Sequence, residues 1–147
     1  MKKIIFLIMF AIILKSNTYP VNAQNINKWI YKGSEVNEMG DVSDAFIIIV
    51  NNQLQGLSVR CDMVHYISRD GNFTEDTVRI KFNNAKTFSH PILGAGTSFF
   101  SKHPRVLIDK FKNHDYVKFQ PYRGASEISR FRLYGFTNAY KKLNCTY

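Results

Sequence analysis

Hydrophobic and polar positions alternate with a period of two through much of this chain, and clusters of Gly, Asn and Asp interrupt the alternation. That pattern predicts half-buried strands joined by turns. Trp29-Ile30-Tyr31-Lys32 opens a first strand. Met39-Gly40-Asp41 turns the chain into an apolar run over residues 45–50, which Asn51-Asn52 ends. A run without alternation predicts a strand covered on both faces. Leu57, Val59, Cys61 and Met63 then alternate with Ser58, Arg60 and Asp62, which puts Cys61 on the inward face. After a turn at Arg69-Asp70-Gly71-Asn72, Val78, Ile80 and Phe82 alternate with Arg79 and Lys81.

From 83 to 101 the pattern fades into small residues and Pro91, which predicts a long loop with at most short irregular strands. Pro104 suits the first position of a helix, and Val106, Leu107, Lys110 and Phe111 share one helical face, so a helix is expected over 104–113. Tyr116–Gln120 is extended again. A turn at Arg123-Gly124-Ala125 precedes a last strand over 128–134, Gly135 breaks it, and Thr137 is placed to cap a short helix through Leu143. The expected core is Trp29, Phe46, Ile48, Val59, Ile80, Phe82, Leu107, Phe111, Phe119, Phe131, Leu133 and Leu143. The fold class is mainly β, with α+β as the alternative. It is an antiparallel, β-sandwich-like single domain in two sheet layers, or a sheet with helices against it, carrying the mid-chain and C-terminal helices.

The N-terminus changes the setting. Lys2 and Lys3 precede an apolar run over 4–14, and Val21-Asn22-Ala23 supplies small residues, so residues 1–23 are expected to be a secretory signal. The run is far shorter than the roughly 20 residues that span a bilayer. Residues 24–147 then form one exported domain, periplasmic or secreted, with no stable membrane insertion after cleavage. Removing Lys2, Lys3 and Lys15 lowers the formal charge only from +9 to +6. The positive excess belongs to the domain and favours anionic partners.

Two cysteines, Cys61 and Cys145, are most simply a disulfide in an exported protein. Closing a loop of about 85 residues contributes about 4–5 kcal/mol in the chain-entropy description. The bridge ties the C-terminal helix to a strand.

Catalytic constellations are harder to find. Glu35, Glu38, Asp41 and Asp44 share one polar entry loop, and Glu75 with Asp76 sits in a turn, whereas a glycosidase holds two carboxyls apart on rigid elements. His65, His90, His103 and His114 lack metal-site spacing and read as loop or surface residues. Gly94-Ala95-Gly96-Thr97-Ser98 is open to two readings, an anion cradle or plain flexibility. No catalytic set, cofactor or metal is expected.

A basic face is expected instead. Arg60, Arg79, Lys81, Tyr116, Lys118, Arg130, Arg132 and Tyr134 are the outward residues of the alternating strands. If those strands share a sheet, its outer face carries cations with aromatic neighbours. Such a face is either an ordinary solvated surface or a dock for an anionic partner. Arginine favours recognition, because its guanidinium fork binds carboxylate or phosphate at two points. Nucleic acid is excluded as a partner, since the strands carry no base-stacking motif and the chain is exported.

The C-terminal third carries a resemblance. Val106-Leu107-Ile108-Asp109-Lys110-Phe111, His114-Asp115-Tyr116-Val117, Ile128-Ser129-Arg130-Phe131-Arg132-Leu133-Tyr134-Gly135-Phe136 and Ala139-Tyr140-Lys141-Lys142-Leu143-Asn144-Cys145 follow one another. The chain resembles the VasI/TagO-like family of exported proteins associated with type VI secretion, loosely over most of residues 24–147. The resemblance implies a non-enzymatic accessory protein of the bacterial envelope, binding a protein or an anionic envelope component. Two other classes stand beside it. One is an inhibitor or immunity protein inserting the 83–101 loop into an enzyme's cleft; the other is a small cell-wall hydrolase using Glu35, Asp41 or Glu75.

Overall fold

The computed structural model of the protein describes residues 23–146. The expected signal segment lies outside the described residues, apart from Ala23 in a 3-10 turn, Ala23–Asn25.

Eleven strands and two helices follow. They are β1 (Ile30–Lys32), β2 (Glu35–Val36), β3 (Val42–Ser43), β4 (Phe46–Val50), β5 (Gly56–Val59), β6 (Val64–Ile67), β7 (Thr77–Phe82), β8 (Phe88–Ala95), β9 (Ser98–Ser101), α1 (Pro104–Lys112), β10 (Tyr116–Gln120), β11 (Ser129–Arg132) and α2 (Phe136–Lys141). Nine strands form one antiparallel sheet in the order β1-β4-β5-β6-β9-β8-β7-β10-β11, and β2 with β3 makes a separate hairpin. The expected mainly-β, antiparallel architecture is the one observed.

The sheet curls on itself. β8 makes this possible by pairing with β7 through Phe88, Ser89, His90 and Pro91, then with β9 through Ile92, Leu93, Gly94 and Ala95. Pro91, which has no N–H to give a ladder, stands where the strand changes partner. The two halves meet through aromatic rings: Tyr66 lies 5.5 Å from Phe119 and 5.9 Å from Phe131, and Phe99 lies 5.5 Å from Phe119. Edge-to-face and tilted contacts of this kind add to the burial of the rings themselves. The helices pack near the ends of β7 and β11, with Phe111 5.9 Å from Phe82 and 5.4 Å from Phe136.

Several expectations change. Residues 83–101 are not a long loop but contain β8 and β9, two central strands. The reading of Gly94–Ser98 as an anion cradle goes with it: a Cβ on Gly94 would stand 1.8 Å from the Phe73 carbonyl oxygen. The glycine is there because the 68–73 segment packs directly on this hairpin, where Phe73 N–H donates to Gly96 O and Ser68 N–H to Thr97 O. Residues 57–63 are not one strand either. β5 ends at Val59, Arg60 N–H donates to Met63 O, and Cys61 sits in that turn rather than on an inward strand face.

The polar entry loop contains the β2–β3 hairpin, whose turn is held by the Asn37 side chain accepting from Met39 N–H and Asp41 N–H. In β4 the fully buried residues are Ile47 and Ile49, while Phe46 and Ile48 are half-buried on the outer side. Trp29 and Leu143 are likewise only partly buried against the core. α2 begins after Gly135, whose φ of 84° is left-handed and suits glycine, so Thr137 does not cap it.

Candidate functional site

The outward face of β7, β10 and β11 gathers six of the eight residues expected there; the last strand ends at Arg132 rather than at 134, which leaves Tyr134 in the turn before α2. Inward positions Ile80, Phe82, Val117, Phe119 and Phe131 are buried, so strand alternation turns their neighbours outward. The register then sets them opposite one another. Lys118 pairs with Lys81 on one side and Arg130 on the other, Tyr116 pairs with Arg132, and Gln120 pairs with Arg79. Arg130, Arg132 and Tyr134 are exposed, and Arg79, Lys81, Tyr116 and Lys118 are half-exposed.

Tyr116 organises the cations. The Arg130 guanidinium lies over its ring at 4.1 Å and the Lys118 ammonium at 5.7 Å, while its hydroxyl donates to Asn84 Oδ1 at 3.2 Å. Arg79 Nη1 donates to Gln120 Oε1 at 2.8 Å. Among the described residues, none of Arg79, Lys81, Lys118, Arg130 and Arg132 is ion-paired with a carboxylate. Lys81, Lys118 and Arg130 thus form a row of like charges across three adjacent strands.

Arg60 does not belong to this face. Three strands, β6, β9 and β8, stand between β5 and β7 in the sheet. In the β5–β6 turn Arg60 reaches Asp44 at 4.0 Å and lies 5.9 Å from the Phe46 ring centre. It also faces His65, whose pKa is lowered by burial and then by the Arg60 charge.

Cys61 and Cys145 form the expected disulfide, 84 residues apart in sequence, and Tyr140 Oη donates to the Cys61 carbonyl at 3.3 Å beside it. Among the histidines, His90 is buried rather than on a loop, sharing a 2.7 Å hydrogen bond with Ser101 Oγ. Burial, then the charge of the nearby His103, pushes its pKa down to about 4. No group of three His, Cys, Asp or Glu is placed to hold a metal among the described residues.

One carboxylate escaped the sequence reading. Glu127 Oε1 accepts from Gln55 Nε2 at 3.1 Å, from Tyr66 Oη at 3.3 Å and from Ser68 Oγ, and Tyr66 Oη also bonds Ser129 Oγ. Burial pushes the Tyr66 phenol up to about 12. Of these residues, Gln55 and Glu127 border a polar depression of about 440 Å³ with Gln53, Arg69, Asp70 and Ser126. A signal did exist: residues 127, 129, 131 and 133 share one parity, so extending the last strand's alternation by one step turns Glu127 inward. Its contacts tie β5, β6 and β11 together, which is a structural task. Glu35, Asp41 and Glu75, considered for hydrolysis, are exposed, and Asp41 is engaged by Asn37 Nδ2 at 3.0 Å.

No helix among the described residues is long and apolar enough to cross a membrane. No protein-family model and no curated protein matches the chain. Among solved structures, the chain is similar to the invasion associated protein B of Bartonella henselae, at 16% identity and a TM-score of 0.39, over 79% of this chain and 82% of that one. That is too slight a likeness to transfer fold or function.

Proposed function

We propose that the protein is an exported, non-enzymatic binding module that docks an anionic partner through the outer face of β7, β10 and β11. The observation that carries this reading is the row Lys81–Lys118–Arg130, three cations directly opposite one another with no carboxylate between them. Like charges facing across strands cost roughly 0.2–1 kcal/mol per pair, and a bound anion removes that cost. Arg130 adds preorganisation, because the Tyr116 ring beneath it holds the guanidinium plane.

Export rests on the leader-like residues 1–23 and agrees with the Cys61–Cys145 disulfide, a bond that persists outside the reducing cytoplasm. The resemblance to VasI/TagO-like proteins extends the proposal to an accessory role in type VI secretion. The inhibitor reading loses its inserting loop, since residues 83–101 hold central strands.

The test is capture from envelope extracts by the purified protein, identified by mass spectrometry, with Arg130→Glu/Arg132→Glu as the comparison. The double reversal is expected to abolish capture while leaving the circular dichroism spectrum and thermal midpoint in place. Undiminished capture by the double reversal sinks the proposal.

A further inference from the structure

Accepting that this face receives an anion leaves its chemistry open, and the layout of the face narrows it. The cations occupy a plane rather than a line. Arg79, Lys81, Lys118, Arg130 and Arg132 spread over three strands and three successive outward rows. With strands about 4.8 Å apart and same-face residues about 7 Å apart along a strand, the array measures roughly 10 by 14 Å.

The face is also uninterrupted. The outward residues of these strands include no carboxylate, and Asp115, which precedes β10, is engaged by Asn83 Nδ2 at 3.2 Å. Two surface depressions lie elsewhere, one beside Tyr140 and Lys141, the other beside Gln55 and Glu127.

The decisive feature lies along the last strand. Ile128 immediately precedes β11 and Tyr134 follows it in the turn before α2, so an exposed aliphatic and an exposed aromatic residue bracket the strand that carries the two arginines. Ile128 is 49% exposed and Tyr134 is 86% exposed. A soluble polyanion gains little from either. A lipid surface uses both, because phenol rings settle at the headgroup level with the ring against acyl chains and the hydroxyl in water. Basic residues near an anionic leaflet add attraction that fades within a Debye length.

We propose that this face rests on the surface of an anionic phospholipid bilayer, peripherally, with Arg79, Lys81, Lys118, Arg130 and Arg132 against headgroup phosphates and Tyr134 and Ile128 at the rim. The inference rests on the anion-docking reading above and names its partner.

The experiment is co-sedimentation of protein processed by an export-competent host with phosphatidylcholine vesicles, with and without phosphatidylglycerol. Soluble polyphosphate binding is measured in parallel. Binding to phosphatidylglycerol vesicles alone, weakened by salt and by Lys118→Glu at least tenfold, is the expected result. Tyr134→Ser is expected to weaken vesicle binding several-fold and leave polyphosphate binding unchanged. Arg130→Gln, which keeps a polar side chain at the site, serves as the second variant if Lys118→Glu fails to fold. Polyphosphate binding without vesicle binding, or vesicle binding indifferent to Tyr134→Ser, overturns the bilayer proposal and leaves the anion-docking reading standing. Binding to neither vesicles nor polyphosphate, together with capture indifferent to the double arginine reversal, overturns both.

Discussion

Trp29 Nε1 donates a 3.1 Å hydrogen bond to the main-chain carbonyl of Arg132, joining residues 103 positions apart. Trp29 stands at the head of the first strand of the sheet and Arg132 at the end of the last, so this bond marks where the curled sheet returns to itself. Asn51 Nδ2 makes a parallel contact to the Arg130 carbonyl at 3.2 Å. The Trp29 ring also meets Phe136 edge-on at 5.0 Å, drawing α2 into the same junction.

Trp29→Phe keeps a ring against Phe136 and loses the donor. It is expected to cost about 1 kcal/mol, the usual net worth of one such bond. Trp29→Ala removes the ring as well and should cost about 2–3 kcal/mol, below the roughly 3–5 kcal/mol of fully buried aromatic truncations because the residue is only half-buried. Urea denaturation followed by circular dichroism measures both. A Trp29→Phe variant as stable as the parent protein would show that the hydrogen bond contributes nothing.

Glu127→Ala is expected to destabilise by about 2–3 kcal/mol, since it strands donors on Gln55, Tyr66 and Ser68. The cost should be less than additive with Ser68→Ala, because the two residues share one network. An additive double mutant in urea melts would place them in independent interactions.

His90 gives a pH dependence of known sign. Its folded pKa, about 4, lies below the unfolded value of 6.5, so the unfolded chain takes up a proton first as the pH falls. Stability is fully present above pH 6.5 and declines between pH 6.5 and 4, by up to about 3 kcal/mol. His65 shifts in the same direction. His90→Gln should remove most of the slope across this window. A slope unchanged in that variant would assign it to other groups.

Lys118→Gln separates stability from binding. It removes both like-charge pairs of the cation row, so the thermal midpoint should rise, by the equivalent of about 0.5 kcal/mol at low salt, while binding to anionic vesicles falls. The gain should vanish at high salt. A lower midpoint at low salt would mean that the row carries no strain to relieve.

The strands with one wet face could be read directly from sequence, because Arg79, Lys81, Lys118, Arg130 and Arg132 mark their outward parity. β4 could not, because Phe46-Ile47-Ile48-Ile49-Val50 is apolar at every position. Its parity is set by which side meets Leu57, Val59 and the aromatic interior. β8 was hidden for a different reason. Pro91 and Gly94 suggest a loop locally, and each is explained only by a distant partner: the change of neighbour strand for Pro91, the Phe73 carbonyl for Gly94. The basic face was foreseen as a set of residues, but strand order decides membership, and that order put Arg60 with Asp44 on another part of the surface.

The position of the disulfide also sets an order of events in folding. β6 to β11 and both helices lie between Cys61 and Cys145. The bond therefore cannot close until every one of those elements has been synthesised. While the chain is emerging, the central strands must find their neighbours without a covalent tether, and pairing of distant strands is the slow kind of folding step. Oxidation then acts as a latch on a sheet already assembled, slowing its opening more than it speeds its formation.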